Sequence, residues 1–229
     1  MPIRSTALAT QEYFHVFNRG NSKQVIFKDE ADFLRLQHLL YLCNSSSPVS
    51  FKDAQKRKGG IFSTPRSEPL VAIGAYCLLP NHFHLLITPL VGDGVSQFMQ
   101  KVTTAYVMYY NKRHNRSGSL FEGPFKAKHA SSDRYLKYLF SYIHLNPLPK
   151  PKSTVPNLVP RPGLGTTDVG TNLESVSSYT YSSLRDYLGD PRDEAMIIDP
   201  DHFPAYFKTT TDWHNELSEW LSFDPDQYL

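Results

Sequence analysis

The chain is predicted to fold as an α+β domain, a ferredoxin-like antiparallel sheet with helices on one face, plus a C-terminal aromatic-rich helical appendage. Three observations predict it. Between residues 13 and 145 the apolar patterning runs strand, helix, strand, strand, helix, strand, helix, which is the order of that sandwich. Within the pattern, Pro80-Asn81 supplies turn chemistry between two apolar stretches, the mark of a hairpin. Finally, Pro151, Pro156, Pro160, Pro162, Gly163, Gly165 and Gly170 crowd one short segment and forbid a packed element there. These signals divide the chain into a main domain over 1–149, a Pro/Gly-rich linker or excursion over 150–178, and an acidic appendage over 179–229.

Each element has its own signature. Residues 13–20, Tyr13-Phe14-His15-Val16-Phe17-Asn18-Arg19-Gly20, read as a strand closing on a glycine turn. Residues 31–43 follow Asp29 and Glu30 and carry Phe33, Leu36, Leu39, Leu40 and Cys43 at helical spacing. Residues 44–69, rich in Ser, Lys, Gly and Pro, read as a loop or mobile insertion. Residues 70–79 and 82–88 form the hairpin strands. Residues 95–111 place Phe98, Val102, Ala105, Tyr106, Tyr109 and Tyr110 on or near one helical face. Residues 119–129 read as extended. Ser131-Ser132-Asp133 offers an N-cap to a helix over 135–145 that Pro147 stops. The tail supplies Tyr181, Leu184, Tyr187, Phe203, Tyr206, Phe207, Trp213, Leu217, Trp220 and Leu221, enough to pack as a small helical unit.

Composition narrows the function classes. With 229 residues, 40% hydrophobic, the chain can bury one sizeable core, and no apolar run reaches the roughly eighteen residues of a membrane span. The first residues lack the apolar stretch of a signal peptide, and Cys43 and Cys77 sit in apolar segments as two buried thiols. Both features predict a cytoplasmic protein. Net charge is only +2, but it is unevenly spread. Lys56-Arg57-Lys58, Lys112, Arg113, Arg116, Lys126, Lys128, Lys150 and Lys152 precede a tail dominated by Asp and Glu beyond residue 185. A basic body of this kind fits a polyanion-binding domain; a mixed solvated surface is the alternative.

The chemistry centres on Pro80-Asn81-His82-Phe83-His84-Leu85-Leu86-Ile87. Alternate strand residues share a face, so His82 and His84 point together while Phe83 and Leu85 turn to the core. Two imidazoles so placed form half of a metal site, or a pair of hydrogen-bonded strand histidines. Tyr142 shares a helical stripe with Tyr135, Tyr138 and Leu139, which suits either a core position or a nucleophile. Asn146, before Pro147, suits a helix C-cap or a ligand. His144 lies off the Tyr142–Asn146 face and is a lesser candidate. Lys112-Arg113-His114-Asn115-Arg116, following Tyr106, Tyr109 and Tyr110, offers cations for phosphates and aromatic faces for bases, unless those tyrosines are buried. His15 and Arg19 suit contact with a polyanion, or ordinary strand and turn positions.

Taken in order, four segments resemble the single-tyrosine HUH transposases, and within them the REP-associated tyrosine transposases related to simple insertion-sequence transposases. They are residues 13–21, residues 75–86 with the histidine pair, Gly118-Ser119-Leu120-Phe121, and Tyr142-Ile143-His144-Leu145-Asn146-Pro147. Tyr179-Thr180-Tyr181-Ser182-Ser183 is similar to a downstream Ser-Ser motif. The resemblance implies a catalytic domain over 1–149 that cleaves and rejoins single-stranded or hairpin DNA. His82 and His84 match the metal-holding pair for a divalent ion, Mg²⁺ or Mn²⁺. Tyr142 matches the nucleophile that forms a 5′-phosphotyrosine, and Asn146 a polar position that completes the metal site. Arg19, Lys112, Arg113, Arg116, Lys126 and Lys128 are the expected DNA contacts. Pro124 stands where these relatives often carry arginine. Relatives include monomers and dimers, so a homodimer is compatible. The alternatives are a domesticated nucleic-acid-binding module that no longer cuts, and a metal-dependent phosphodiesterase in which water attacks.

Overall fold

A computed structural model describes residues 8–149 and 168–222. Its centre is a four-stranded sheet of β1 (Phe14–Arg19), β2 (Val71–Leu79), β3 (His82–Pro89) and β4 (Lys126–His129) in the order β2-β3-β1-β4. Every neighbouring pair is antiparallel. The expected α+β sandwich is thereby present.

Helices cover both faces of this sheet, not the single face expected. On one face lie α1 (Glu30–Leu42) and α3 (Gly94–Arg113), between which comes the short α2 (Phe51–Gln55). Phe14, Val16, Tyr76, Leu78, Phe83, Leu85 and Ile87 of the sheet pack there against Leu36, Leu40, Phe98, Val102, Tyr106 and Tyr110. On the other lie α4 (Asp133–Leu145) and the tail helices α5 (Val169–Ser178), α6 (Leu184–Tyr187) and α7 (Thr210–Ser222). Ala72, Ala75, Cys77, Leu79 and Leu86 meet Leu139, Phe140, Ile143, Trp213, Leu217 and Leu221 on that face. Burial on two sides explains why β2 is apolar at every position instead of alternating.

A register shift between Ile73 and Ala75 marks a bulge at Gly74. The Phe203 ring lies against the Gly74 backbone, so closely that a Cβ there would stand 2.9 Å from three of its carbons. The appendage is thus seated on the sheet rather than attached loosely to it. Residues 181–183 extend the sheet beside β2: Leu78 N–H donates to the Tyr181 carbonyl at 2.9 Å, and Ser183 N–H to the Tyr76 carbonyl at 3.0 Å.

Three further sequence expectations are refined. The 44–69 loop is largely exposed but includes α2, buries Ala54 and Ile61, and is anchored by the Asn44 carboxamide, which bonds Leu70 N–H, Val71 N–H and the Val71 carbonyl. The Asn44 side chain thus ties the start of the insertion to β2, a long-range hydrogen bond that polar pattern alone does not distinguish from solvation. Of 119–129 only Lys126–His129 is strand; Phe121 makes an isolated bridge to Gly20. Of the expected linker 150–178, residues 150–167 lie outside the described residues, while 169–178 form α5, capped by the Asp168 side chain at Thr171 N–H. That capping signal outweighs the nearby Gly170.

Candidate nucleic-acid-processing site

Register builds the site. Residues directly opposite in an antiparallel pair share a face, and β1 sets Phe17 opposite His84 and Arg19 opposite His82. On its other side β1 sets His15 opposite Lys128 and Phe17 opposite Lys126. One sheet face therefore carries His15, Phe17, Arg19, His82, His84, Lys126 and Lys128. This is the face covered by α4, whose contacts fall mainly on β2 and β3. The β1–β4 side of that face keeps its exposed lysines, so Lys126 and Lys128 flank the histidines on an accessible floor.

Helix α4 begins where the Ser132 hydroxyl caps Tyr135 N–H and presents Tyr135, Tyr138 and Tyr142 along one half-buried stripe. The Tyr142 ring meets the His84 ring edge-on at 5.8 Å and the His15 ring at 5.8 Å. His82 and His84 rings are 5.1 Å apart and nearly perpendicular. A phenol and two imidazoles distant in sequence are thus neighbours in space. Lys128 reaches over the Tyr135 ring at 5.0 Å, which closes the floor against the start of α4.

Asn146 is the C-cap of α4, its backbone N–H weakly bonded to the Ile143 carbonyl at 3.4 Å. Its side-chain Nδ2 donates to the Tyr142 carbonyl at 2.7 Å, which fixes the amide and leaves Oδ1 as an acceptor. That Oδ1 is buried, on a residue 5% exposed, with no hydrogen-bond partner among the described residues. Such an atom is costly unless it receives a donor or a cation.

The histidine nitrogens are also oriented. His82 Nδ1 lies 2.6 Å from Asn81 Oδ1, and His84 Nδ1 lies 2.8 Å from His15 Nε2. In both rings Nδ1 is engaged, the arrangement in which Nε2 serves as ligand. The set His82, His84 and Asn146 Oδ1 therefore has the donor chemistry of a mixed nitrogen–oxygen site for a divalent ion. Among the described residues no cluster of three or more His, Cys, Asp or Glu side chains is placed to hold a metal.

The α3 cluster lies elsewhere. Tyr106 and Tyr110 are core residues on the opposite face, donating to the Ile26 and Val25 carbonyls, so neither offers a ring to a base. Burial pushes the Tyr106 phenol well above its ordinary range. Arg113 is held by both carboxylate oxygens of Asp29 and by Asp32, with contacts from 2.6 to 2.8 Å, and these anions raise its pKa. Arg116 lies near the Tyr110 ring, 5.7 Å from its centroid. Lys112, Arg113 and Arg116 are therefore not brought together with the histidine pair; Arg19, Lys126 and Lys128 are. Sequence periodicity places the tyrosines on one face without saying whether that face meets solvent or sheet.

The Ser-Ser segment acquires a structural role. Ser183 Oγ accepts from Tyr76 N–H at 2.9 Å and bonds His144 Nε2 at 2.8 Å, linking β2 to the tyrosine-bearing helix. Glu216 of α7 holds the same helix from the other side. It accepts from Ser141 Oγ at 3.2 Å and Trp220 Nε1 at 2.8 Å and pairs with Lys137 at 2.7 Å. Neither the His15–His84 pairing nor the bracing by Glu216 stands out in the sequence, because the partners lie on other elements.

An antiparallel sheet carrying paired histidines beside a helical tyrosine defines a candidate phosphoryl-transfer protein acting on nucleic acid. Residues 33–146 match the model of the family described as Transposase IS200 like, and the chain belongs to that family. Transposition, with DNA as the partner, is its activity at that level. The chain is similar to the solved structure of a REP-associated tyrosine transposase bound to a REP hairpin: 13% identity, TM-score 0.47, covering 85% of this chain and 90% of that one. No curated protein matches the chain. Among the described residues no helix is long and apolar enough to cross a membrane.

Proposed function

We propose that this protein nicks and rejoins single-stranded DNA, presented as a strand or hairpin, through a covalent bond to Tyr142. The observation carrying the proposal is the edge-on approach of the Tyr142 ring to His84 on a floor bordered by Lys126 and Lys128. Tyr142 Oη attacks the phosphorus and the bond to the 3′ oxygen breaks. A 5′-phosphotyrosine and a free 3′-OH result, the phenol losing its proton and the departing oxygen gaining one. Because the phosphodiester is exchanged rather than hydrolysed, another 3′-OH can reverse the step and join strands. His82, His84 and Asn146 would hold a divalent ion, Mg²⁺ or Mn²⁺. Such an ion would supply Lewis-acid polarisation of the phosphate. Lys126, Lys128 and Arg19 orient the backbone by charge. The protein works in the cytoplasm, where Cys43 and Cys77 stay reduced, and as a monomer or homodimer. Residues 1–149 would form the catalytic domain and 179–229 the appendage, whose α7 braces α4 through Glu216.

Incubation with end-labelled single-stranded hairpin DNA and Mn²⁺ should yield a protein–DNA adduct that resists denaturation and disappears in Tyr142→Phe. His82→Ala should lower adduct yield by roughly a hundredfold while leaving DNA binding within a few-fold, an order expected from loss of metal-assisted charge stabilisation. Adduct of equal yield in Tyr142→Phe would move the nucleophile elsewhere. Cleaved products with no adduct would favour attack by water, and salt-dependent binding without cleavage a non-cutting module.

A further inference from the structure

The turn between β2 and β3 is held more elaborately than a hairpin requires. Gly20 N–H donates to the Asn81 carbonyl at 2.9 Å, and Ile26 and Phe27 N–H groups both donate to the Pro80 carbonyl. The segment that makes these bonds is itself tightly wound. Ser22 and Lys23 are consecutive non-glycine residues with φ of 53° and 60°. That conformation is unfavourable for side-chain-bearing residues and persists only where surroundings enforce it. Gly20 cannot carry a Cβ, which would lie 2.2 Å from the Gln24 carbonyl oxygen. The result is to aim the Lys23 carbonyl at Asn81, whose Nδ2 donates to it at 3.2 Å.

That bond decides the chemistry of the next residue. With Nδ2 facing a carbonyl, the Asn81 amide cannot flip, and Oδ1 is the atom facing His82 Nδ1 at 2.6 Å. A carboxamide oxygen only accepts, so the proton must sit on His82 Nδ1 and the lone pair on Nε2. We infer that Asn81 is a positioning residue, held by the Lys23 carbonyl, that locks His82 in the tautomer and ring orientation needed to ligate through Nε2. Lys23 carbonyl, Asn81 amide and His82 imidazole then form one relay from a wound turn to the site. This inference rests on the metal reading for its purpose but not for its geometry.

The experiment separates the two. Metal-free protein labelled with ¹⁵N in histidine should show His82 protonated at Nδ1 and unprotonated at Nε2, the resonances being assigned by their loss in His82→Gln. Asn81→Ala should abolish the Nδ1 preference, and Asn81→Asp should retain it. Calorimetric titration with Mn²⁺ alone should give a Kd about 10–100-fold weaker in Asn81→Ala and no weaker than wild type in Asn81→Asp. A His82 proton on Nε2 in the wild type, or unchanged tautomer and Mn²⁺ affinity in a folded Asn81→Ala, would overturn the inference. Failure of wild-type protein to bind Mn²⁺ would overturn the metal reading instead. The imidazole spectrum, recorded without metal, would then decide the Asn81 assignment by itself.

Discussion

His144 sits two residues from Tyr142 yet serves the opposite purpose. Its ring is fully buried, bonded through Nε2 to Ser183, and burial pushes its pKa down to about 3 from the usual imidazole value of 6.5. The unfolded chain therefore takes up a proton below pH 6.5 that the folded one refuses until about pH 3. Between those values the unfolded state holds more protons, so stability must fall as pH falls, by up to about 1.4 kcal/mol per unit from this group. Denaturant melts from pH 7 to pH 4 should show that slope, and His144→Gln should lose it. In the sequence His144 is a lesser candidate because it lies off the Tyr142–Asn146 face; in the structure it is buried and bonded to Ser183.

At the scale of elements, α4 carries Tyr142, the proposed nucleophile, and it is held from two sides. Ser183 ties it to β2 through His144, and Glu216 ties it to α7. Ser183→Ala would leave Tyr76 N–H and His144 Nε2 buried without that oxygen, a loss of about 1–3 kcal/mol for each orphaned group. Chemical denaturation should register it. Adduct formation should fall too, because a loosened α4 no longer holds Tyr142 beside His84. Periodicity places α4 correctly, since its apolar stripe and Ser132 cap are local signals. It does not show the role of Ser182-Ser183, whose backbone pairs with a strand far earlier in the chain. Nor does it show α5, where an Asp168 cap starts a helix within a segment that composition marks as irregular.

For the molecule as a whole, the two sheet faces divide the labour. The α1–α3 face is a core closed at its rim by Arg113 with Asp29 and Asp32, and the α4 face carries the histidines and the lysine-edged floor. Joint replacement of Lys126 and Lys128 by alanine should weaken single-stranded DNA binding. It should also reduce the slope of log K against log salt by roughly 1.4, about 0.7 for each phosphate no longer neutralised. Arg113→Ala should leave that slope unchanged and lower stability instead, since it deprives the buried Asp32 carboxylate of its guanidinium partner. Filter-binding titrations over a salt series, with melts on the same proteins, distinguish the two effects.

Strand parity, helix stripes and capping residues are properties of neighbouring positions, and they are enough to establish the α+β order, the shared direction of His82 and His84, and the helix bearing Tyr142. Which cations border the histidines is settled by β1 pairing with β3 and β4, and the fate of the α3 tyrosines by which face that helix covers. Those are relations between segments far apart in the chain. A local pattern says that a face is apolar or basic, whereas only packing decides what that face meets.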